Sequence, residues 1–106
     1  MTTVRSIFER MPETYLRDKA AGLSAVIQFD ITGSGGGQWY AAIANGELSV
    51  VEGFHESPQL TLTATAQDYI DISTGKLNGQ LAFMTGKLTA TGNLGLAIKM
   101  NNIFTR

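Results

Sequence analysis

The residues closest to catalytic chemistry lie around His55, the only histidine in the chain. Glu52, Glu56 and Ser57 are near it in sequence, so a small hydrolase with a Ser-His-Glu arrangement is one interpretation. Members of such a triad normally come from separate segments, each held by a rigid element, whereas these residues share one short connection. We therefore rank the hydrolase last and expect His55 to lie on a solvated loop. A metal site needs several ligands that converge on the ion. One histidine beside two carboxylates does not provide such a set, and we expect no metal site.

Three other patterns suggest chemistry but have simpler interpretations. Residues 33–37 are Gly-Ser-Gly-Gly-Gly, yet they fall between two predicted strands, whereas a phosphate loop joins a strand to a helix. Gly75-Lys76 and Gly86-Lys87 are followed by leucine instead of the Ser or Thr of that loop. Asp68 and Asp71 could form an acid–base pair. Their place at the start of a predicted helix is better explained by the helix dipole, which favours acidic groups there.

Composition limits the classes of function. A chain of 106 residues predicts a single domain over residues 1–106, and 43% apolar with 16% charged residues indicates a folded protein. The net charge of −1 gives no general electrostatic basis for a nucleic-acid partner. The chain has no cysteine, which excludes disulfides and fits a cytoplasmic location. No apolar run is long enough to span a bilayer, and the first residues lack the apolar core of a secretory signal.

Periodicity predicts a helix followed by strands in the first two thirds of the chain. Val4, Ile7, Phe8 and Met11 follow helical spacing. The period then changes to two, which predicts four strands near residues 25–32, 39–44, 47–51 and 58–64. Asn45-Gly46 is a strong signal for a two-residue hairpin turn. Such strands have one apolar and one polar face, as expected of an antiparallel sheet covered on one side.

Helices without a charged face dominate the last third. After a helix over residues 66–74, a short helix at about residues 80–85 lies between two Gly-Lys-Leu units. A strand over residues 87–91 precedes a last helix that begins after Asn93. Helices that are apolar nearly all round must be covered by protein or line an apolar ligand site. Ordinary core packing is the simpler alternative, although methionines such as Met84 and Met100 suit a variable apolar site.

An ordered set of short motifs in this part of the chain resembles a known family. The motifs are Gly75-Lys76-Leu77-Asn78, Ala82-Phe83-Met84, Gly86-Lys87-Leu88, Thr91-Gly92-Asn93 and Gly95-Leu96-Ala97-Ile98-Lys99. They are similar to the C-terminal half of the sterol carrier protein type 2 family, a family of small lipid-binding domains. Met11-Pro12, Trp39 and Asn45-Gly46 extend the resemblance upstream, so that it covers nearly the whole chain.

The resemblance implies an α+β fold, with a five-stranded, mainly antiparallel sheet and helices on one face that enclose a hydrophobic tunnel. It implies binding and intracellular transfer of an apolar lipid, namely a fatty acid, fatty acyl-coenzyme A, sterol or isoprenoid, without catalytic residues or a cofactor. The implied partners are the lipid, a transient membrane surface and a lipid-metabolising enzyme. The alternative is a protein-interaction or dimerisation module of similar fold that has no physiological lipid.

The residues expected to line the tunnel are apolar side chains from the sheet and from the helices packed on it. They are Phe29, Trp39, Ile43, Ile72, Leu81, Phe83, Met84, Leu96, Met100 and Ile103. Asn101 falls where related proteins place a polar residue in the closing helix, so its amide is a candidate for holding a lipid head group.

Overall fold

The computed structural model describes residues 2–103, and the side chains of residues 2–100. Within this part of the chain five strands form one sheet: β1 Ala25–Thr32, β2 Gly37–Ala44, β3 Glu47–Glu52, β4 Leu60–Thr65 and β5 Leu88–Gly92. The α-helices are α1 Val4–Thr14, α2 Ala66–Ser73, α3 Gly79–Met84 and α4 Leu94–Ile103, and a short 3-10 helix spans Arg17–Ala20. The predicted α+β class is therefore confirmed.

The strands are arranged in the order β3-β2-β1-β4-β5. Three of the neighbouring pairs are antiparallel, whereas β1 and β4 run parallel at the centre of the sheet, with Phe29 opposite Leu62. The sheet is thus mixed but mainly antiparallel. Because β2 and β1 lie between β3 and β4, residues 53–59 must cross one face of the sheet to connect β3 with β4.

Local signals in the sequence set the starts of the α-helices and the hairpin between β2 and β3. Asn45 has φ 55° and Gly46 has φ 80°, the two positive values that a type I′ turn requires, so the predicted hairpin is confirmed. Each α-helix begins after a residue whose side-chain oxygen accepts a backbone N–H of the first turn. These residues are Thr3, Thr65, Asn78 and Asn93.

The centre of the core is a cluster of aromatic rings around Phe8 of α1. Its ring stacks on Trp39 with centroids 4.6 Å apart and on Tyr69 of α2 with centroids 5.2 Å apart, and it meets Phe29 edge to face at 5.0 Å. Phe29 and Trp39 are directly paired on β1 and β2. The apolar face of the sheet therefore carries α1 and α2, in agreement with the prediction that helices pack on one face.

The polar face of the sheet holds the connection over residues 53–59 by way of Gln28. This side chain is only 3% exposed. Its Nε2 donates to the carbonyl oxygens of Trp39 at 2.9 Å and Gly53 at 3.0 Å, and its Oε1 accepts the backbone N–H of His55 at 2.8 Å. His55 is consequently half-buried. Its neighbours Phe54, Glu56 and Ser57 are exposed, as expected of a solvated loop, whereas His55 itself is partly covered because Gln28 of a distant strand holds its backbone against the sheet.

We expect Gln28→Ala to lower the free energy of unfolding by at least about 2 kcal/mol, because three backbone groups lose their partner and each buried unsatisfied group costs about 1–3 kcal/mol. His55→Ala is the matched control, since it removes a side chain from the same loop and should cost about 1 kcal/mol or less. Urea titrations of both variants measure the difference. Equal losses would show that Gln28 does not hold the loop.

The buried Tyr69 makes stability depend on pH in the alkaline range. Burial raises the pKa of its hydroxyl above the ordinary value of 10.0, and the hydrogen bond with Ser73 offsets only part of that effect. The folded state therefore keeps this proton more tightly than the unfolded chain does. The resulting stability is fully present below about pH 10 and is lost as the pH rises toward the folded-state pKa.

We therefore expect the melting temperature of Tyr69→Phe to fall less steeply above about pH 10 than that of the wild-type protein, because the variant has no buried hydroxyl to ionise. Thermal unfolding followed by circular dichroism across this range tests the difference. Parallel curves for the two proteins would contradict it.

Candidate functional site

The apolar face of the sheet is covered unevenly by the helices. On β1 and β2 its side chains, such as Ile27 and Ala41, are completely buried. Toward the other edge, Leu62 of β4 and its partner Ala90 of β5 lie on the same face but are only partly buried, and so is Leu88. On the same face Leu60 and Ala64 of β4 are buried, and Leu48 and Val50 of β3 are partly buried at the opposite edge. Leu62, Leu88 and Ala90 are thus the positions of β4 and β5 at which the helices leave the apolar face partly uncovered.

Helix α3 approaches this half of the sheet through a small residue. Ala82 is completely buried, and its carbonyl oxygen accepts the backbone N–H of Lys87 at 2.8 Å, which holds α3 close to β5. Leu81, Phe83 and Met84 then point away from the core and are 53%, 48% and 80% exposed. The prediction that these three residues line an enclosed tunnel is not supported, because Ala82 occupies the inward position of this short helix.

Helix α4 turns a different set of side chains toward the sheet. Leu96 is buried in the core, and Ala97 and Met100 are partly buried against it. Leu94 and Ile98, on the opposite side of the helix, are 50% and 67% exposed. The inner face of α4 therefore supplies Leu96 and Met100 to the space above β4 and β5.

The remaining predicted residues lie in three different places. Three of them belong to the buried core of β1 and β2: Phe29, Trp39 and Ile43. Ile72 is half-buried on α2. The backbones of Asn101 and Ile103 lie in α4, but their side chains are outside the described residues, so their predicted roles are untested. Leu96 and Met100 lie on α4, which contacts β4 and β5, and these strands carry three partly buried residues that sequence analysis did not select: Leu62, Leu88 and Ala90.

The structure has two grooves on its surface, one where α4 begins and one between α1 and α2. The smaller, of about 190 Å³, lies where α4 begins and is lined in part by Leu23, Gln59 and Leu96. The larger, of about 520 Å³, lies between the first turns of α1 and α2 and is lined by residues such as Thr3, Gln67 and Lys76. Of the predicted tunnel residues only Leu96 lines either groove, so neither groove corresponds to the predicted tunnel.

The residues around His55 do not assemble a triad. Its Nδ1 accepts the backbone N–H of Ser57 at 3.0 Å, which occupies the nitrogen that a carboxylate would orient in a triad. Glu52 instead pairs with Arg5 of α1 at 2.9 Å. Over residues 2–103, no group of three acidic or histidine side chains could hold a metal ion. None of the helices in that range is long and apolar enough to cross a bilayer.

Known proteins share both sequence and fold with this chain. Sterol carrier protein 2 of Homo sapiens is 34% identical over 84 residues, which are 76% of this chain and 15% of that protein. Peroxisomal multifunctional enzyme A of Dictyostelium discoideum is 46% identical over 63 residues, which are 58% of this chain and 14% of that protein. The chain therefore spans about one seventh of the length of these relatives.

Solved structures extend the comparison. Sterol carrier protein 2-like 2 of Aedes aegypti, at 26% identity, superposes with a TM-score of 0.76 over 95% of each chain. Palmitated sterol carrier protein 2-like 2 of the same species, at 28% identity, covers 93% of this chain and 91% of its own, with a TM-score of 0.72. A Pseudomonas sec-alkylsulfatase contains the fold in 17% of its chain, at a TM-score of 0.80 and 18% identity. The model of the SCP-2 sterol transfer family matches residues 4–105, and the chain belongs to that family.

Proposed function

We propose that this protein binds the acyl chain of a fatty acid or of its coenzyme A ester and carries it between membranes or to an enzyme. The observation that carries this proposal is the incomplete cover of the sheet over β4 and β5. An apolar surface between a sheet and its helices is where a small-molecule site is expected. The acyl class is supported by the palmitated Aedes aegypti relative, which is 28% identical; a sterol or an isoprenoid is the alternative ligand.

The proposed site has a wall from the sheet and a wall from α4. Leu62, Leu88 and Ala90 form the first, and Leu96 and Met100 form the second. Four of these five side chains are pure hydrocarbon, and Met100 adds only a thioether sulfur. Binding would therefore rest on burial of the acyl chain. Each buried methylene contributes about 0.8 kcal/mol, which gives several kcal/mol for a long chain before the cost of ordering it. The amide of Asn101 remains a predicted contact for the head group.

The rigid core beside the site has a separate role in this proposal. Phe29 and Trp39 are fixed by close ring contacts with Phe8, so they shape the end of the site rather than move to admit a ligand. No step of the proposed function requires bond chemistry, and no catalytic residue is proposed. Delivery to a lipid-metabolising enzyme is favoured by the multifunctional enzyme of Dictyostelium discoideum among the relatives, and the cytoplasmic location stays a prediction.

Two methionines provide a matched test of the site. Met100 faces the proposed site, whereas Met84 is 80% exposed on α3. We expect Met100→Trp to weaken palmitate binding at least about tenfold, a difference of about 1.4 kcal/mol, because the larger ring fills the space that the acyl chain would occupy. Met84→Trp should bind palmitate like the wild-type protein. Displacement of a fluorescent fatty acid from each protein gives the affinities.

Thermal melts of the same samples separate a ligand site from ordinary core. If Met100 borders unfilled space, Met100→Trp should melt near the wild-type temperature. If it is tightly packed, the added volume should cost about 1–3 kcal/mol. Wild-type protein that shows no saturable displacement by palmitate, palmitoyl-coenzyme A, cholesterol or an isoprenoid would overturn the proposed function.

A further inference from the structure

Strand β3 forms one edge of the sheet, where β2 is the only strand paired with it among the described residues. The N–H of Gly53, just after β3, donates to the carbonyl oxygen of Gln38 on β2 at 2.8 Å. In an antiparallel pair, residues that bond to the partner strand alternate with residues whose backbone groups point away from it. The backbone N–H and C=O groups of Leu48, Val50 and Glu52 therefore point outward, and the residues between them bond to β2.

These outward groups have no backbone partner in the part of the chain that the structure describes. Helix α1 runs alongside β3 and is tied to it by side chains. At the start of the helix Arg5 pairs with Glu52 at 2.9 Å, and just after its end Tyr15 donates its hydroxyl to the carbonyl oxygen of Gly46 at 3.0 Å. The helix thus covers one face of β3 and leaves its edge open.

The middle of β3 has none of the devices that usually protect an edge strand. Natural sheets commonly protect an edge with a proline, a bulge or a charged side chain, because an open edge pairs readily with other chains. Strand β3 pairs with β2 residue for residue over Glu47–Glu52, without a bulge. Its central residues 48–51 are Leu-Ser-Val-Val, which include neither a proline nor a charge. The middle of β3 is therefore able to pair with one more strand.

Charge limits which strand can pair at this edge. Residues 47–56 contain three glutamates and no basic residue. Arg5 offsets the charge of Glu52, whereas Glu47 and Glu56 have no ion pair in the described part of the chain. A second copy paired through the same edge would bring the glutamates of both copies together, and like charges in contact are unfavourable. A strand with basic side chains supplies the opposite charge.

We propose that the open edge of β3 binds an extended segment of a partner protein as a sixth strand, and that this segment alternates apolar with basic residues. A peptide that adds to a sheet edge gains affinity from backbone hydrogen bonds and specificity from its alternate side chains. Its apolar side chains would extend the partly buried row of Leu48 and Val50. Its basic side chains would lie on the other face, beside Glu47 and the 41% exposed Val51. This edge is opposite β5, so the inference goes beyond the proposed carrier function.

Amide hydrogen exchange followed by nuclear magnetic resonance tests the pairing directly, with a short synthetic peptide of alternating lysine and valine as the probe. In the free protein the N–H groups of Leu48, Val50 and Glu52 should exchange faster than those of Ser49 and Val51, which bond to β2. Saturating peptide should slow exchange at the first three positions by at least about fivefold, because each N–H gains a backbone acceptor. A peptide of alternating glutamate and valine is the matched control and should have little effect.

Variants of the chain separate the backbone contribution from the charge contribution. Val50→Pro removes an outward N–H but no bond to β2, so it should weaken binding of the lysine-valine peptide while circular dichroism shows the fold intact. Glu47→Lys reverses an exposed charge beside the edge and should weaken the same binding by at least about fivefold, which tests the proposal even if the proline variant does not fold. Asp71→Lys makes the same change of charge on α2, which contacts β1 and β4, and should bind like the wild-type protein.

Equal binding of the two peptides, slowed exchange without the alternation along β3, or a loss in Asp71→Lys as large as in Glu47→Lys would overturn the proposal. A dimer of the peptide-free protein in analytical ultracentrifugation that dissociates in Val50→Pro would also overturn it and assign the edge to a second copy. Displacement of fluorescent fatty acid should be the same with and without the peptide, because the acyl site lies toward the opposite edge of the sheet.

Discussion

Packing of the Phe8 ring between Trp39 and Tyr69 is the contact on which the arrangement of the helices depends. It fixes α1 and α2 over β1 and β2 with centroid distances of 4.6 and 5.2 Å. Helix α2 also contacts β4, and α3 and α4 supply the remaining cover of β4 and β5. With six and ten residues, they leave Leu62, Leu88 and Ala90 partly uncovered.

The features predicted from sequence are those that neighbouring residues determine. Asn78 and Asn93 cap the helices that follow them, and Asn45-Gly46 forms the turn between β2 and β3, because each of these signals acts within a few residues. The parallel pairing of β1 with β4 was not predicted, since alternation defines the faces of a strand but not its neighbour. The hydrogen bonds from Gln28 to the connection over residues 53–59 were missed for the same reason.

The candidate site was predicted less well than the fold. Of the predicted tunnel residues, Leu96 and Met100 lie on the inner side of α4, whereas Leu81, Phe83 and Met84 are exposed on the outer side of α3. Helix α3 has six residues, no charge and Gln80 as its single polar side chain, which is too little to define its outer side, and the structure shows that Ala82 points inward. Leu62, Leu88 and Ala90 were overlooked because they become one surface only when β4 and β5 pair.

The inward position of the small residue Ala82 has two consequences for α3. Its small inward residue lets the helix lie close to β5, and its larger apolar residues are left on the outside beside Lys87. A carrier with this arrangement would have the proposed acyl site on the inner side of α4, beside the rigid aromatic core, because Leu62 lies opposite Phe29.

The location of the acyl chain is the central claim, and isotope-filtered nuclear Overhauser spectroscopy tests it most directly. With uniformly labelled protein and unlabelled palmitate, we expect intermolecular contacts between the acyl chain and the methyl groups of Leu62, Leu88, Ala90 and Met100. Contacts confined to the exposed methyl groups of α3, or the absence of contacts at saturating palmitate, would contradict a site between the sheet and α4.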